Sequence, residues 1–159
     1  MPITLQFVRE AHMASGLIAW FGAGEFSHVD AVFPDGRLLG ARHRPIGGTE
    51  GGVQIRPADY STFVRRVVME VPCSDEQEQG FYGYLRNQVG KPYDSSAIWG
   101  FVTGRDWRNP ERWICSELLP AAAEFVHILP RLYVPANKIT PVGCCLAFSA
   151  IGGVVVVSV

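Results

Sequence analysis

The segment Ser27–His43 constrains the fold more than any other, because it carries the clearest signal for paired strands. Two apolar runs lie on either side of Pro34-Asp35-Gly36. Asp-Gly between such runs favours a hairpin with a two-residue turn. The sequence therefore predicts antiparallel pairing early in the chain.

The register of this hairpin decides which side chains lie together. If Asp35 and Gly36 alone form the turn, His28 lies directly opposite His43, on the same face of the strand pair. A shift of one residue would place Arg42 opposite His28 instead. We take the first register as the prediction.

The other elements follow from the spacing of apolar residues and from turn and cap residues. The pattern predicts an α+β protein in which an antiparallel sheet packs against helices. The predicted strands are Ile3–Val8, Val53–Arg56, Val64–Val71 and a tail over Val154–Val159, with an extended segment over Arg131–Lys138. The predicted helices are Ala11–Phe21, a helix from the cap at Ser74 to about Val89, Ser95–Val102, Cys115–Ile128 and Val142–Ile151.

Composition limits the classes of function. A chain of 159 residues is expected to form a single domain, residues 1–159, with a hydrophobic core. A hydrophobic content of 48% with 18% charged residues is ordinary for a globular protein. The net charge of −1, with scattered Lys and Arg, gives no reason to expect a nucleic-acid partner.

Cys115 lies where a loop-like run changes into a helical pattern. The free N–H groups and positive dipole end of a helix N-terminus stabilise an anion, so a thiol there is expected to have a lowered pKa. The same N–H groups could stabilise an oxyanion. The alternative from position alone is that Cys115 is one more small buried hydrophobic residue.

The remaining cysteine pattern points away from metals and disulfides. None of the four cysteines forms a CxxC pair or has a zinc-type histidine spacing, so we expect neither a metal site nor a cofactor. The N-terminus lacks the pattern of a signal peptide, so synthesis in the cytoplasm with reduced thiols is the expectation.

Three motifs in this order resemble a known family: Ser27-His28-Val29, then Gly90-Lys91-Pro92-Tyr93-Asp94, then the segment Trp113–Leu118. Together they are similar to the circularly permuted NlpC-type papain-like cysteine hydrolases, the group of YiiX-like and lecithin:retinol acyltransferase-like proteins. The hairpin also resembles uncharacterised phage and prophage proteins. The resemblance implies a permuted papain-like fold with the nucleophile at a helix N-terminus.

The resemblance also implies roles for individual residues. Cys115 would be the nucleophile and His28 the general base. The third member of the set would be the residue facing His28, here His43, which would orient the imidazole. Tyr93 matches a family tyrosine that could donate its hydroxyl to the substrate or the oxyanion. Glu117 is expected to have a structural role.

The segments that leave the hairpin and enter the Cys115 helix are expected to border the substrate cleft. These are Arg44–Gly52, whose glycines suit a mobile flap, and Gly104–Asn109. Trp107 and Trp113 could supply an apolar wall. The alternative for Trp107 is a place in the core.

Two classes of function remain. The first is a thiol hydrolase or acyl transferase that acts on an amide or ester, in a peptide, peptidoglycan or acyl-lipid substrate. The second is a non-catalytic papain-like binding module, for example in phage assembly or host interaction. The apolar end, Cys144–Val159, leaves membrane association open, but it is shorter than the roughly 20 residues of a bilayer helix, so a packed helix and strand are expected. The oligomeric state is left open.

Overall fold

A computed structural model describes residues 1–11, 25–96, 111–131 and 139–159 of the chain. In this part the protein is an α+β structure with a six-stranded sheet and three helices. The strands are β1 (Ile3–Glu10), β2 (His28–Val32), β3 (Leu38–Arg42), β4 (Gly52–Arg56), β5 (Phe63–Val71) and β6 (Val154–Ser158). The helices are α1 (Asp75–Asn87), α2 (Cys115–Phe125) and α3 (Pro141–Ala150).

The sheet has the strand order β4-β3-β2-β1-β5-β6 and all its strand pairs are antiparallel. The predicted fold class of an antiparallel sheet packed against helices is therefore confirmed at this level. Three predicted elements lie wholly or mostly outside the described residues: the helix Ala11–Phe21, the helix Ser95–Val102 and the extended segment Arg131–Lys138.

The predicted register of the β2–β3 hairpin is wrong by one residue. Val32 pairs with Leu38 and Ala31 with Leu39. Continuing this register along the strands brings Arg42, not His43, to the position across from His28. β3 also ends at Arg42, so His43 lies outside the strand.

The turn explains the shift. Phe33 donates its N–H to the carbonyl of Arg37 at 2.8 Å, so three residues connect the strands. A two-residue type I′ turn would need a positive φ at both central residues. Here only Gly36 has one, at 83°, as in a type I turn closed by a left-handed residue. Pro34 favours this solution, because its fixed φ suits the first central position of a type I turn.

The core lies between one face of the sheet and the helices. Val29 and Ala31 of β2 belong to it. The helices contribute Phe81, Tyr82 and Leu85 from α1, Leu118, Leu119, Ala122 and Ala123 from α2, and Cys144 and Phe148 from α3. His28 and Asp30 alternate with Val29 and Ala31 along β2 and are buried as well.

Two of the predicted helix starts are confirmed by their caps. Ser74 forms a complete capping box with Gln77 at the start of α1. Thr140 accepts the N–H of Gly143 at 3.0 Å, and Pro141 occupies the first turn of α3. α2 contains Pro120 and continues through it to Phe125.

The C-terminal segment forms α3 followed by β6, the helix and strand that the sequence predicted. β6 pairs with β5 at the edge of the sheet, and all five of its residues are exposed. Within the described ranges, no helix is both long and apolar enough to span a membrane.

Candidate active site

Cys115 and His28 are brought together by the start of a helix and the start of a strand. Cys115 is the first residue of α2, and His28 is the first residue of β2. The thiol lies close enough to the imidazole to help raise the pKa of His28. Each residue is 6% exposed, so the pair is almost enclosed. The two residues predicted as nucleophile and base are therefore neighbours.

The N-terminus of α2 has N–H groups that its cap residue does not satisfy. The N-cap, Ile114, has an apolar side chain and makes no capping hydrogen bond. The carbonyl of Ile114 accepts from Glu117 and Leu118. The N–H groups of Cys115 and Ser116 belong to the first turn, which has no intrahelical acceptors. These N–H groups and the helix dipole favour negative charge beside the sulfur.

Asp30 holds the imidazole from the same strand. His28 Nε2 lies 2.9 Å from Asp30 Oδ1, within the sheet face they share. Arg56 Nη2 lies 2.7 Å from the same Nε2, but a guanidinium nitrogen has no lone pair and can only donate. A protonated Nε2 therefore donates to Asp30, and Oδ1 accepts from both cations. This leaves Nδ1 as the ring nitrogen available to Cys115.

Arg56 reaches Asp30 from β4, across β3. Its side chain is buried, forms an ion pair with Asp30 and donates to the carbonyl of Gly40 at 3.3 Å. The carboxylate lies over Gly40, where a Cβ atom would come well inside contact distance of Oδ1. The absence of a side chain at Gly40 is thus what allows Asp30 and Arg56 to meet.

The charged groups of Asp30, His28 and Arg56 stabilise one another. Burial disfavours ionisation of Asp30, but Arg56 and His28 outweigh it and lower the pKa of Asp30 to about 2. Burial likewise disfavours the imidazolium, but Asp30 and Cys115 together raise the pKa of His28 to about 9. The geometry therefore favours a charged imidazole beside the thiol at neutral pH.

A second ion pair lies on the same face of the sheet. Arg42 binds Glu10 through both guanidinium nitrogens, with Nη2 to Oε2 at 2.9 Å. The ring of Tyr60 contacts both arginines: its centroid is 4.7 Å from Cζ of Arg42 and 4.6 Å from Cζ of Arg56. Tyr60 thus packs against both ion pairs, Arg42–Glu10 and Arg56–Asp30.

Tyr93 lies beside Cys115 because its segment is hydrogen-bonded on two sides. Val53 of β4 donates its N–H to Lys91, at 2.8 Å. Trp113 donates to Pro92 at 3.2 Å, and Tyr93 and Trp113 form a parallel bridge. Burial, and then the charge of a nearby Cys115 thiolate, raise the pKa of Tyr93, so its hydroxyl remains a donor at neutral pH.

His43 does not occupy the place expected for it. The partner of His28 Nε2 is Asp30, and His43 is exposed. Its ring makes an edge contact with Tyr93, at 5.6 Å between centroids. His43 is thus one side chain removed from Cys115. The reason is the three-residue turn, which shifts β3 by one position.

Among the other predicted residues, Trp113 is half-buried against the core. It donates its indole N–H to Gln88 at 3.1 Å and contacts the ring of Tyr84. Glu117 is buried in the first turn of α2. Trp107 and the segment Gly104–Asn109 lie outside the described residues, so their expected place at the cleft is a prediction only.

The flap segment Arg44–Gly52 is built around a tight turn. Ile46 and Thr49 exchange two backbone hydrogen bonds across Gly47 and Gly48, which both have positive φ. The turn leaves the hairpin directly after His43. Its place at the rim of a substrate cleft stays a prediction.

Asp30 and Arg56 were not predicted as site residues from the sequence. Asp30 follows His28 by two residues in a strand, so the two side chains share a face. This spacing could have indicated Asp30, but the wrong hairpin register led to the prediction that His43 faces His28. Arg56 had no local signal, because it comes from a strand that pairs with β3 rather than with β2.

Comparison with known proteins supports the fold assignment. No protein-family model matches the chain, and a search of curated proteins found no match. Among solved structures, the chain resembles a protein of the same α+β architecture over its whole length. That protein is the metalloprotein YiiX from Escherichia coli O157:H7, described as DUF1105, with a TM-score of 0.62 and 17% identity over 100% of this chain and 97% of that chain. The chain therefore has a YiiX-like fold.

The residues around Cys115 do not suit a metal ion. In the described ranges, no group of three or more His, Cys, Asp and Glu side chains could hold one. Cys115 and His28 are two donors, but the next candidate, Asp30, already binds a guanidinium and an imidazolium. A metal cation there would meet Arg56 at close range.

Proposed function

We propose that the protein is a thiol hydrolase or acyl transferase with a permuted NlpC-type papain-like active site. The observation that carries the proposal is that Cys115, at a helix N-terminus, adjoins His28, which Asp30 orients. This is a nucleophile–base–orienter set. The third member is Asp30 rather than His43.

The first half of the reaction forms an acyl-enzyme. His28 holds the proton of the Cys115 thiol, and the thiolate attacks the carbonyl carbon of an amide or ester. A C–S bond forms and the π electrons move to the oxygen. When the tetrahedral intermediate collapses, the bond to the leaving group breaks and His28 gives its proton to the departing nitrogen or oxygen. The product that stays bound is a thioester.

The second half releases the acyl group. His28 takes a proton from water, whose oxygen attacks the thioester, and the C–S bond breaks to give a carboxylic acid and the thiol. In an acyl transferase an amine or alcohol replaces water. The N–H groups of Cys115 and Ser116 are placed to stabilise the oxyanion in both halves, and the Tyr93 hydroxyl is a further donor.

The substrate is an amide or ester in a peptide, peptidoglycan or acyl-lipid molecule. Tyr93 and Trp113 flank the nucleophile from the side of α1 and provide aromatic surface for an acyl or peptide chain. The low exposure of Cys115 and His28 is the one observation that favours the alternative, a binding module that retains the pair without turnover.

A panel of substrates distinguishes the enzyme from the binding module. Fluorogenic peptide amides, muramyl-peptide fragments and short- and long-chain acyl esters are incubated with wild-type protein, Cys115→Ser and His28→Asn. We expect turnover of at least one class by the wild type and a fall of about 10³-fold or more in both variants. Thermal melts check that the variants are folded. If no class is turned over above the Cys115→Ser background, the binding-module reading replaces the enzyme.

A further inference from the structure

Four ionisable side chains form one buried group: Cys115, His28, Asp30 and Arg56. Cys115 adjoins His28, His28 binds Asp30, and Asp30 binds Arg56. Arg56 lies at the far end of this series and is 2% exposed. The chain of contacts therefore ends in a permanent cation, which the reaction itself does not use.

The net charge of the four side chains shows the role of the Arg56 guanidinium. With Cys115 as thiolate, His28 as imidazolium, Asp30 as carboxylate and Arg56 as guanidinium, the group is neutral. Without the guanidinium, the same thiolate–imidazolium pair would carry a net charge of −1 in a buried site. Uncompensated buried charge is strongly disfavoured, so the sulfur would take up a proton from solvent, which leaves a neutral group of thiol, imidazolium and carboxylate.

We propose that Arg56 is a positioning residue that acts through Asp30, as the counter-ion that lets Cys115 and His28 exist as a thiolate–imidazolium pair. The inference rests on the proposed function, since it explains how that nucleophile is activated. Arg56 cancels the charge of Asp30, so that the imidazolium of His28 remains available to balance the thiolate.

The neighbouring ion pair does not change this sum, because Glu10 and Arg42 form a pair that is neutral in itself. The tyrosines and the thiol that face the cluster have raised pKa values and are uncharged at neutral pH: Tyr60, Tyr93 and Cys144. Two further carboxyl groups are buried nearby. Asp94 accepts the N–H of Ser96 at 3.0 Å, and Glu117 lies in the first turn of α2.

The experiment measures the rate of alkylation of Cys115 by iodoacetamide from pH 4 to 10, with peptide mass spectrometry to separate it from the other cysteines. The quantity compared is the pH midpoint of alkylation in the wild type and in each variant, because the thiolate is the form that reacts. Arg56→Met should raise it by at least about one pH unit, the effect of removing a nearby opposite charge. Arg56→Lys, which keeps the charge, should restore most of the shift.

A double variant distinguishes charge balance from packing. Asp30→Asn/Arg56→Met removes one charge of each sign and keeps an oxygen acceptor for His28, so its midpoint should return to within about half a pH unit of the wild type. The matched control Glu10→Gln/Arg42→Met removes the neighbouring pair, and its midpoint should not change. If Arg56→Met does not fold by circular dichroism, Arg56→Gln carries the same prediction.

Each outcome is decisive. An unchanged midpoint in folded Arg56→Met or Arg56→Gln, or a double variant as far shifted as the single, would overturn the role of Arg56 and leave the proposed function intact. Alkylation of Cys115 in the wild type that is no faster than alkylation of Cys73 at any pH would instead count against the proposed nucleophile itself.

Discussion

The position of the Asp30 side chain depends on the absence of a side chain at Gly40. Its carboxylate lies over Gly40 and receives His28 and Arg56 there. The Asp30–Arg56 ion pair is buried, so water cannot replace either partner. The state of the imidazole next to Cys115 is therefore set by a glycine on the adjacent strand.

Gly40→Ala should break this arrangement. The new Cβ would clash with Asp30 Oδ1 and approach the carbonyl of Val29 to 3.2 Å, so the carboxylate must move. We expect a loss of about 1–3 kcal/mol in the free energy of unfolding and slower alkylation of Cys115 at neutral pH. Gly83→Ala is the control, because a Cβ in that turn of α1 has nothing within 4 Å. Denaturant melts that showed equal stability for both variants would contradict the placement of Asp30.

The pKa of Asp30 gives a pH prediction with a definite sign. The folded value is about 2, below the usual value of about 3.9, so the ionised carboxylate stabilises the fold above pH 4 and this contribution is lost as the pH falls toward 2. The stability difference between wild type and Asp30→Asn should narrow by about 2 kcal/mol over that range. A difference independent of pH would mean that Asp30 is not ionised in the folded protein.

At this scale the sequence allowed part of the site to be predicted. Cys115 and His28 were identifiable because a helix start and a strand start are visible in the residue pattern. The prediction of the residue that orients the His28 imidazole depended on the hairpin register. A single residue in the turn decides that register. Asp35 and Gly36 suggested a two-residue turn, and Pro34 added the third residue.

At the scale of the elements, the segment Gly90–Asp94 connects α2 to the sheet. It is hydrogen-bonded to β4 through Val53 and to the residues before α2 through Trp113. β4 and α2 are therefore held in position by one short segment, and Tyr93 is carried with it. Gly52, which begins β4, has a φ of 139° and leaves room for the carbonyl of Lys91.

Gly52→Ala should loosen that connection. The new Cβ would clash with the Lys91 carbonyl, and an alanine at this φ is strained by about 1–3 kcal/mol. We expect lower stability together with a change in the fluorescence of Trp113. Gly143→Ala at the start of α3, whose nearest neighbours are 3.4 Å and more away, is the control. Fluorescence unchanged from wild type in a folded Gly52→Ala would argue against this coupling.

Helix starts were predictable where their chemistry is local. The capping box at Ser74 and the Thr140-Pro141 start need only four neighbouring residues, and both are present. The link between β4 and the segment after α1 could not be predicted in the same way. It joins residues about 40 positions apart by backbone hydrogen bonds, which leave no mark on residue type.

At the scale of the molecule, the sheet has one edge that is unusually apolar. Val154, Val155, Val156 and Val157 are 62%, 50%, 49% and 41% exposed, and β6 contains no charged residue. Natural edge strands usually carry charges that prevent pairing with other chains. This edge is therefore the expected site of association at high protein concentration.

Val156→Lys should reduce that association. A lysine on an exposed edge position blocks edge-to-edge pairing and costs little stability, within about 0.5 kcal/mol. Light scattering over a concentration series should show less association than in the wild type, while Val156→Thr, which is uncharged and β-prone, should resemble the wild type. Equal scattering from all three proteins would mean that this edge does not associate.

The central claim is that Cys115, activated by His28, forms a covalent acyl-enzyme. The most direct measurement is mass spectrometry of the protein quenched in acid within seconds of adding a 4-nitrophenyl ester, followed by peptide mapping. We predict an acyl adduct on Cys115 that disappears as the ester is consumed, and its formation at least about 100-fold slower in His28→Asn. An adduct on another residue, or equal acylation of Cys115 in the absence of His28, would contradict the account.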